Sequence, residues 1–273
     1  MLSLRHIPHP PLSALVECLW YWEGAPATHA RERLLPNGES AIIVNLRDEP
    51  IRVYDAQDIT RCNSYGHAVL SGAHSDCFVI DATQQERVIG IQFRPGGAFP
   101  FFRMPASEAE GASIAMDDLW PGRVIRDIRE QLLAAPGVDA MFAILERSLL
   151  AQLVRPPELH PAVAYALRHF CRCTPGGRIG SVTERIGLSP RRFIELFHRQ
   201  VGLTPKTFSR VRRFQQALRS FHGRRQIDWA QVALENGYYD QAHFIHDFQG
   251  FSGFTPSAYS SLATAHLNHV PLP

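Results

Sequence analysis

Arg191, Ile194, Glu195 and His198 recur at intervals of one to four residues that place them on the outward side of a helix. Side chains of these types can read base edges. A guanidinium holds guanine O6 and N7 through two hydrogen bonds, and a carboxylate accepts from cytosine N4. Gln241, Ala242, His243, Ile245 and His246 form a second such set: Gln suits adenine, imidazoles suit phosphates or base acceptors, and Ile meets a thymine methyl. Arg192, Lys206, Arg210 and Arg213 are candidates for phosphate contacts, which fix register on a duplex without reading its sequence. The chemistry implied is recognition of double-stranded DNA, with no cofactor and no metal required. Cys62, His67, His74 and Cys77 match no established zinc spacing. No HExxH, phosphate loop, dinucleotide fingerprint or nucleophile–base pairing occurs either.

Two copies of one helical unit must position these residues. Phe193, Phe197, Gly202, Thr204, Pro205 and Phe208 are matched by Phe244, Phe248, Gly253, Thr255, Pro256 and Tyr259, each 51 positions later. Phenylalanines four apart share one helix face and read as core. The Gly suits a left-handed C-cap, and the Thr-Pro behind it ends one helix and starts the next. Upstream, each copy has a shorter helix ending at a Gly: Ile179, Val182 and Ile186 before Gly187, and Trp229, Val232 and Ala233 before Gly237. That glycine falls where the turn of a helix-turn-helix belongs. A long helix from about Pro205 to Phe221 joins the copies; at 1.5 Å per residue it spans roughly 25 Å, which would set two recognition helices about 34 Å apart, one turn of B-DNA.

Charge is split between the halves. Residues 155–273 hold 15 Lys+Arg and 7 Asp+Glu, net +8, whereas residues 1–154 hold 13 and 19, net −6. An anionic partner is therefore expected for the C-terminal half alone. Within that half the second unit is locally acidic: no Lys or Arg follows Arg225, and Asp228, Glu235, Asp240 and Asp247 remain. Its groove contacts should be weaker than those of the first unit. Five dispersed Cys do not make a disulfide framework, and no membrane span or signal-peptide core is visible, so a cytoplasmic location is expected.

The N-terminal half reads differently. From residue 12 to about 105 it is β-rich, with strands at Ala41–Leu46 and Val88–Phe93 and weaker ones near Ile51–Tyr54, Ala68–Leu70 and Phe78–Ile80. From Ile114 the period becomes helical, giving two closing helices divided by Ala135-Pro136-Gly137. The fold class expected is an α+β multidomain chain. A β-rich sensing or dimerisation domain with closing helices (1–154) precedes an all-α domain of two helix-turn-helix units joined by a long helix (155–259), and 260–273 form a fraying tail.

The stretch Ile179 to Tyr259, and Gly237 to Tyr259 above all, resembles the AraC/XylS-type DNA-binding domain. The resemblance implies transcription regulation and places the recognition positions on the two sets named above. Two departures stand out: His246 occupies a position that often carries Arg, and Arg178 that of a usual N-cap. The first half, with Trp20, Trp22, Leu35-Pro36-Asn37-Gly38 and Phe93-Arg94-Pro95-Gly96-Gly97, more weakly resembles an uncharacterised β-rich domain found ahead of such regulators. By that resemblance the first domain binds a small-molecule effector or forms a homodimer, and RNA polymerase is a further partner of the class. Trp20, Trp22, Tyr54 and Arg94 are the candidate effector contacts. Two alternatives stay open at this level: an enzyme acting on a small molecule in the β domain, and an architectural DNA binder without base contacts.

Overall fold

The computed structural model describes residues 2–25, 29–172, 185–224, 226–262 and 266–272. Two antiparallel sheets make up the β-rich part. Across the first run β1 (Leu2–His6), β2 (Val16–Glu23), β9 (Arg87–Phe93), β4 (Ala41–Asn45), β7 (Ala68–Ser71) and β10 (Ser113–Ala115). Across the second run β11 (His269–Leu272), β3 (Arg31–Leu34), β8 (Phe78–Asp81), β5 (Ile51–Tyr54) and β6 (Cys62–Tyr65). Because side chains alternate along a strand, Leu19 and Tyr21, Ile42 and Val44, and Ile89 and Ile91 fall on one face of the first sheet. That face is sealed by α2 (Val124–Ala134) and α3 (Val138–Ala151), which follow the short α1 (Met116–Leu119). Ile125, Ile128 and Leu132, then Met141, Phe142, Leu145 and Leu149, supply the facing helical stripes.

The β-rich region is wider than its sequence pattern indicates. β1 precedes residue 12, and Ile114, read as the start of the helical period, lies on β10 opposite Leu70. Both are edge strands too short for alternation to show, and their pairing partners define them.

The helical part comprises α4 (Pro161–Arg172), α5 (Pro190–Val201), α6 (Pro205–Phe221), α7 (Trp229–Glu235), α8 (Gln241–Ser252) and α9 (Pro256–Leu262). Ile179 and Val182, expected on the first short helix, and Arg178 lie outside the described residues. Each repeated signal has the anticipated local cause. Ser189 accepts from Arg192 N–H and Thr204 from Thr207 N–H, each ahead of a first-turn proline. Gly202 and Gly253 close α5 and α8 in the left-handed region, at φ +92° and +76°. Phe193, Phe197, Phe244 and Phe248 are fully buried.

Each unit borrows part of its core from the β-rich half. The first packs Phe193, Phe197, Val201 and Phe208 with Val163 and Ala166 of α4 and with Ala73, just beyond β7. The second packs Phe214, Phe221, Phe244, Phe248 and Tyr259 with Leu35, just beyond β3, and Val270 of β11. The turn after Leu35 sits on α6: Gln215 Nε2 donates to Pro36 O at 2.8 Å, and a Cβ on Gly38, at φ +72°, would lie 3.3 Å from Val211. Gly96, in the second loop flagged in the sequence, lies against Leu159 and the Gln200 carbonyl. Both loops are therefore domain-interface elements.

The C-terminal segment corrects the expectation of a fraying tail. β11 adds to the edge of the second sheet, pairing His269 with Leu34 and Leu272 with Arg31. Tyr259 Oη donates to Leu267 O at 2.6 Å, His269 Nδ1 lies 2.8 Å from Glu32 Oε2, and Val270 is buried. Four residues containing a proline show no period of their own; an open strand edge and an unfilled apolar site give them their structure. Ending the chain at Leu262 is expected to lower stability by at least the roughly 1.5–3 kcal/mol of burying one such side chain. Urea unfolding of the full and shortened chains checks this, and equal midpoints would return the segment to a passive tail.

Candidate nucleic-acid interface

Helices α5 and α8 carry the two sets of candidate base-reading residues. On α5 the phenylalanines turn inward, leaving Arg191, Arg192, Ile194 and Glu195 exposed on the N-terminal half. Base-reading residues of a recognition helix are found at that end. Arg191 Nε donates to Glu195 Oε1 at 3.1 Å, and Arg192 reaches the other carboxylate oxygen at 3.8 Å. Such an exposed helical pair is worth about 0.3–0.5 kcal/mol, so Arg191 is readily exchanged to a stronger acceptor.

His198 stands apart from the other three. Its Nε2 lies 2.7 Å from Glu110 Oε2, in the segment that follows the short turn Ala106–Ala109, and Gly202 packs against Ala106 and Ala73. The C-terminal end of α5 is thus docked on the β-rich half while its N-terminal end is open. Sequence reasoning missed Glu110, which lies 88 residues from its partner.

On α8, Gln241, Ala242 and His246 are exposed. His243 is turned back along its own unit, edge-on to Tyr238 at 5.3 Å and with Nδ1 3.4 Å from the Tyr239 N–H. Ile245, expected to point at a thymine methyl, is partly buried against the second unit's core. It sits one residue from Phe244, where the apolar stripe is wide enough to include it.

Of the phosphate candidates, Arg192, Lys206 and Arg210 are exposed and Arg213 is partly buried, and the last two are paired within the domain. Arg210 donates to one oxygen of Asp247 at 2.8 Å and Arg213 to the other at 3.0 Å; Arg213 also lies 4.5 Å over the Tyr238 ring. Asp247, counted among the surface acids of the second unit, is buried on α8 and ties that helix to α6. Two other acids of the unit are caps, Asp228 accepting from Ala230 and Gln231 N–H and Asp240 from His243 N–H. Carboxylates at helix N-termini are stabilised by the helix dipole. The acidity of the second unit is accordingly structural in three of its four residues.

The effector candidates do not converge. Trp20 lies on Gly90, where a Cβ would approach its ring to 2.2 Å, and Trp22 meets His266 edge-on at 5.7 Å. Tyr54, on the other sheet, is covered by the Arg31 guanidinium at 4.5 Å, and Arg94 pairs with Glu17 at 2.5 Å. The cavity beneath the closing helices, lined by Ile42, Ile91, Ile128 and Leu145 among others, measures about 10 Å³, room for one water. None of the four candidates lines it. Cys62, His67, His74 and Cys77 are likewise dispersed: His67 reaches Asp48 O, and His74 is buried on Phe78 with its imidazole pushed down to about 4 by burial.

Residues 182–261 match the family model of a helix-turn-helix domain, and residues 4–115 that of a domain of unknown function. No curated protein matches the chain by sequence. Among solved structures, ToxT from Vibrio cholerae is similar at 10% identity over 90% of this chain and 98% of that one, with a TM-score of 0.48. ToxT from Vibrio cholerae O395 bound to (E)-4-(8-methylnaphthalen-1-yl)but-3-enoic acid gives 10% identity, the same coverages and a TM-score of 0.49. A xylose-binding transcription activator, xylR, is 17% identical over 46% of this chain and 38% of its own, with a TM-score of 0.31. Residues 182–261 thus form a helix-turn-helix domain, the DNA-binding module of transcription regulators. The chain's C-terminal domain is of the AraC type, with a β-rich domain of unknown function ahead of it. No helix among the described residues is long and apolar enough to cross a membrane.

The Asp247 clamp yields a pH-dependent prediction. Burial raises the Asp247 carboxyl, but the bonds and charges of Arg210 and Arg213 outweigh it and hold the group below the usual carboxylate range. With the folded value below the unfolded one, about 3.9, the stabilisation is present above that pH and lost as pH falls through the folded value. Asp247→Ala is expected to cost about 3 kcal/mol at neutral pH, because two guanidiniums lose their partner. Denaturant titrations at pH 7 and at pH 3 check both parts, the difference between variant and parent shrinking at the lower pH.

Proposed function

We propose that this regulator reads sequence by placing the N-terminal ends of α5 and α8 in two successive major grooves on one face of a duplex. The observation that carries the reading is that both recognition helices are buried through equivalent phenylalanine pairs and keep their N-terminal side chains in solvent. On α5 the base contacts fall to Arg191, Ile194 and Glu195; on α8 they fall to Gln241, Ala242 and His246. Arg192 and Lys206 contact phosphates, while Arg210 and Arg213 maintain the angle between α6 and α8. A DNA-binding role of this kind places the protein in the cytoplasm.

The β-rich domain acts as the controlling element, through a small effector or a second copy of the chain. What supports this is the placement of its loops: the turn at Pro36–Gly38 rests on α6, and Glu110 holds His198. A change of shape in that domain reaches α5 directly through Glu110 and reaches α8 through α6, on which it packs.

Arg191→Ala should relax sequence preference at one base pair and cost about 1–3 kcal/mol on the specific site. Competition between a promoter fragment and bulk DNA at fixed salt checks it; equal weakening on both would rule out base reading by Arg191. Glu110→Gln should raise DNA affinity by up to about fivefold, since a surface pair is worth up to about 1 kcal/mol and the lost carboxylate no longer opposes phosphate. An unchanged dissociation constant for this variant would mean that the contact does not restrain α5.

A further inference from the structure

Away from the reading helices, the described residues bring one set of metal-binding side chains together. His6 ends β1, His9 lies in the loop that follows, and Glu146 faces them from α3. His6 Nε2 is 2.5 Å from Glu146 Oε1 and His9 Nδ1 is 3.1 Å from Glu146 Oε2, and the three ligand atoms all fall within 4.8 Å of one another.

This convergence is imposed by packing. The His6 ring stacks on Phe142, at 5.3 Å and 15° between planes, and Phe142 lies one helical turn before Glu146 on α3. That stacking aims Nε2 at the carboxylate. The His9 backbone N–H also donates to Glu146 Oε2, at 3.2 Å, so the loop is already folded over the group. The Glu146 side chain is only 14% exposed, and among the described residues its ion-pair partners are these two imidazoles. A carboxylate so little exposed, with no guanidinium or ammonium paired to it among the described residues, is a receptive place for a cation.

We propose that His6, His9 and Glu146 bind a single divalent ion of the zinc class, with water completing the coordination. Two imidazole nitrogens and one carboxylate oxygen are a ligand set that zinc takes with one position open, at bonds of about 2.0–2.2 Å. Calcium and magnesium favour all-oxygen sites, and softer ions favour sulfur. Donors around such an ion stand roughly 3.3 Å apart, so atoms already within 4.8 Å of one another reach that arrangement by adjustment of the exposed His9 ring and of the carboxylate. The bound ion ties the first strand and its following loop to the closing helix, across the core of the β-rich domain.

The test is zinc titration of the full chain after chelator dialysis, followed by calorimetry, with Co²⁺ absorption as a report of coordination geometry. The expected result is one equivalent bound per chain, a rise in Tm with added zinc, and a tetrahedral-type Co²⁺ spectrum. His9→Ala, whose side chain is 82% exposed and so dispensable for folding, should weaken binding by more than the roughly 10- to 100-fold that loss of an outer partner costs. Glu146→Gln should do the same. Absence of uptake by the parent chain, or undiminished uptake by the His9→Ala/Glu146→Gln double variant, overturns the site.

Discussion

Neither helix-turn-helix unit completes its hydrophobic core alone, and the rest of the structure depends on that constraint. The first unit closes over Ala73 and the second over Leu35 and Val270, all three contributed by the β-rich half or by the strand that joins its second sheet. Burial of this kind is non-directional and strong for its area, so the docking of the halves follows from filling the cores. Directional contacts then fix the geometry: Gln215 on Pro36 O, Arg212 on Glu39, and Arg33 on Ser252 O. Burial pushes the Glu39 carboxyl up against the pull of Arg212. A charge held at that cost marks a contact that specifies the interface more than it stabilises it.

Charge in the C-terminal domain divides into two uses. Arg191, Arg192 and Lys206 stay at the surface, whereas Arg210, itself exposed, and the partly buried Arg212 and Arg213 are paired with Asp247 and Glu39. The net basic count of this half therefore overstates the cations that a duplex meets in this conformation. The exposed candidates on α8, Gln241, Ala242 and His246, include no Lys or Arg.

What the sequence made legible is what local physics decides. The 51-residue offset, the phenylalanine pairs and the Gly-x-Thr-Pro signals each specify a face, a cap or a stop within one turn of helix, and α6 runs over the residues its apolar stripe and cap define. The exposure of Arg191, Ile194, Glu195, Gln241, Ala242 and His246 followed because the burial of Phe193 and Phe244 dictates which side chains are left outside. Ile245 escaped this logic by lying at the margin of the stripe. Arg210 and Arg213 escaped it because Asp247 is 37 and 34 residues away and approaches only when α8 packs on α6. β11 was invisible for the same reason: its partner, β3, lies more than 230 residues earlier.

The pairing of β11 with β3 also bears on how the two halves communicate. The helical domain is tied to the β-rich half at both of its ends, by the chain ahead of α4 and by β11, and the second unit's core residue Val270 belongs to a strand of the second sheet. A displacement of β3 must move Leu35 and Val270 together, because hydrogen bonds across the ladder keep their register. Those two side chains pack on Phe214, Phe221 and Phe248, which set the seat of α8. The first unit rests instead on Ala73, Ala106 and the His198–Glu110 pair, which is partly solvent-exposed. The two helices are thus joined to the β-rich half differently, α5 through side chains at its own C-terminal end and α8 through the core it shares with Leu35 and Val270.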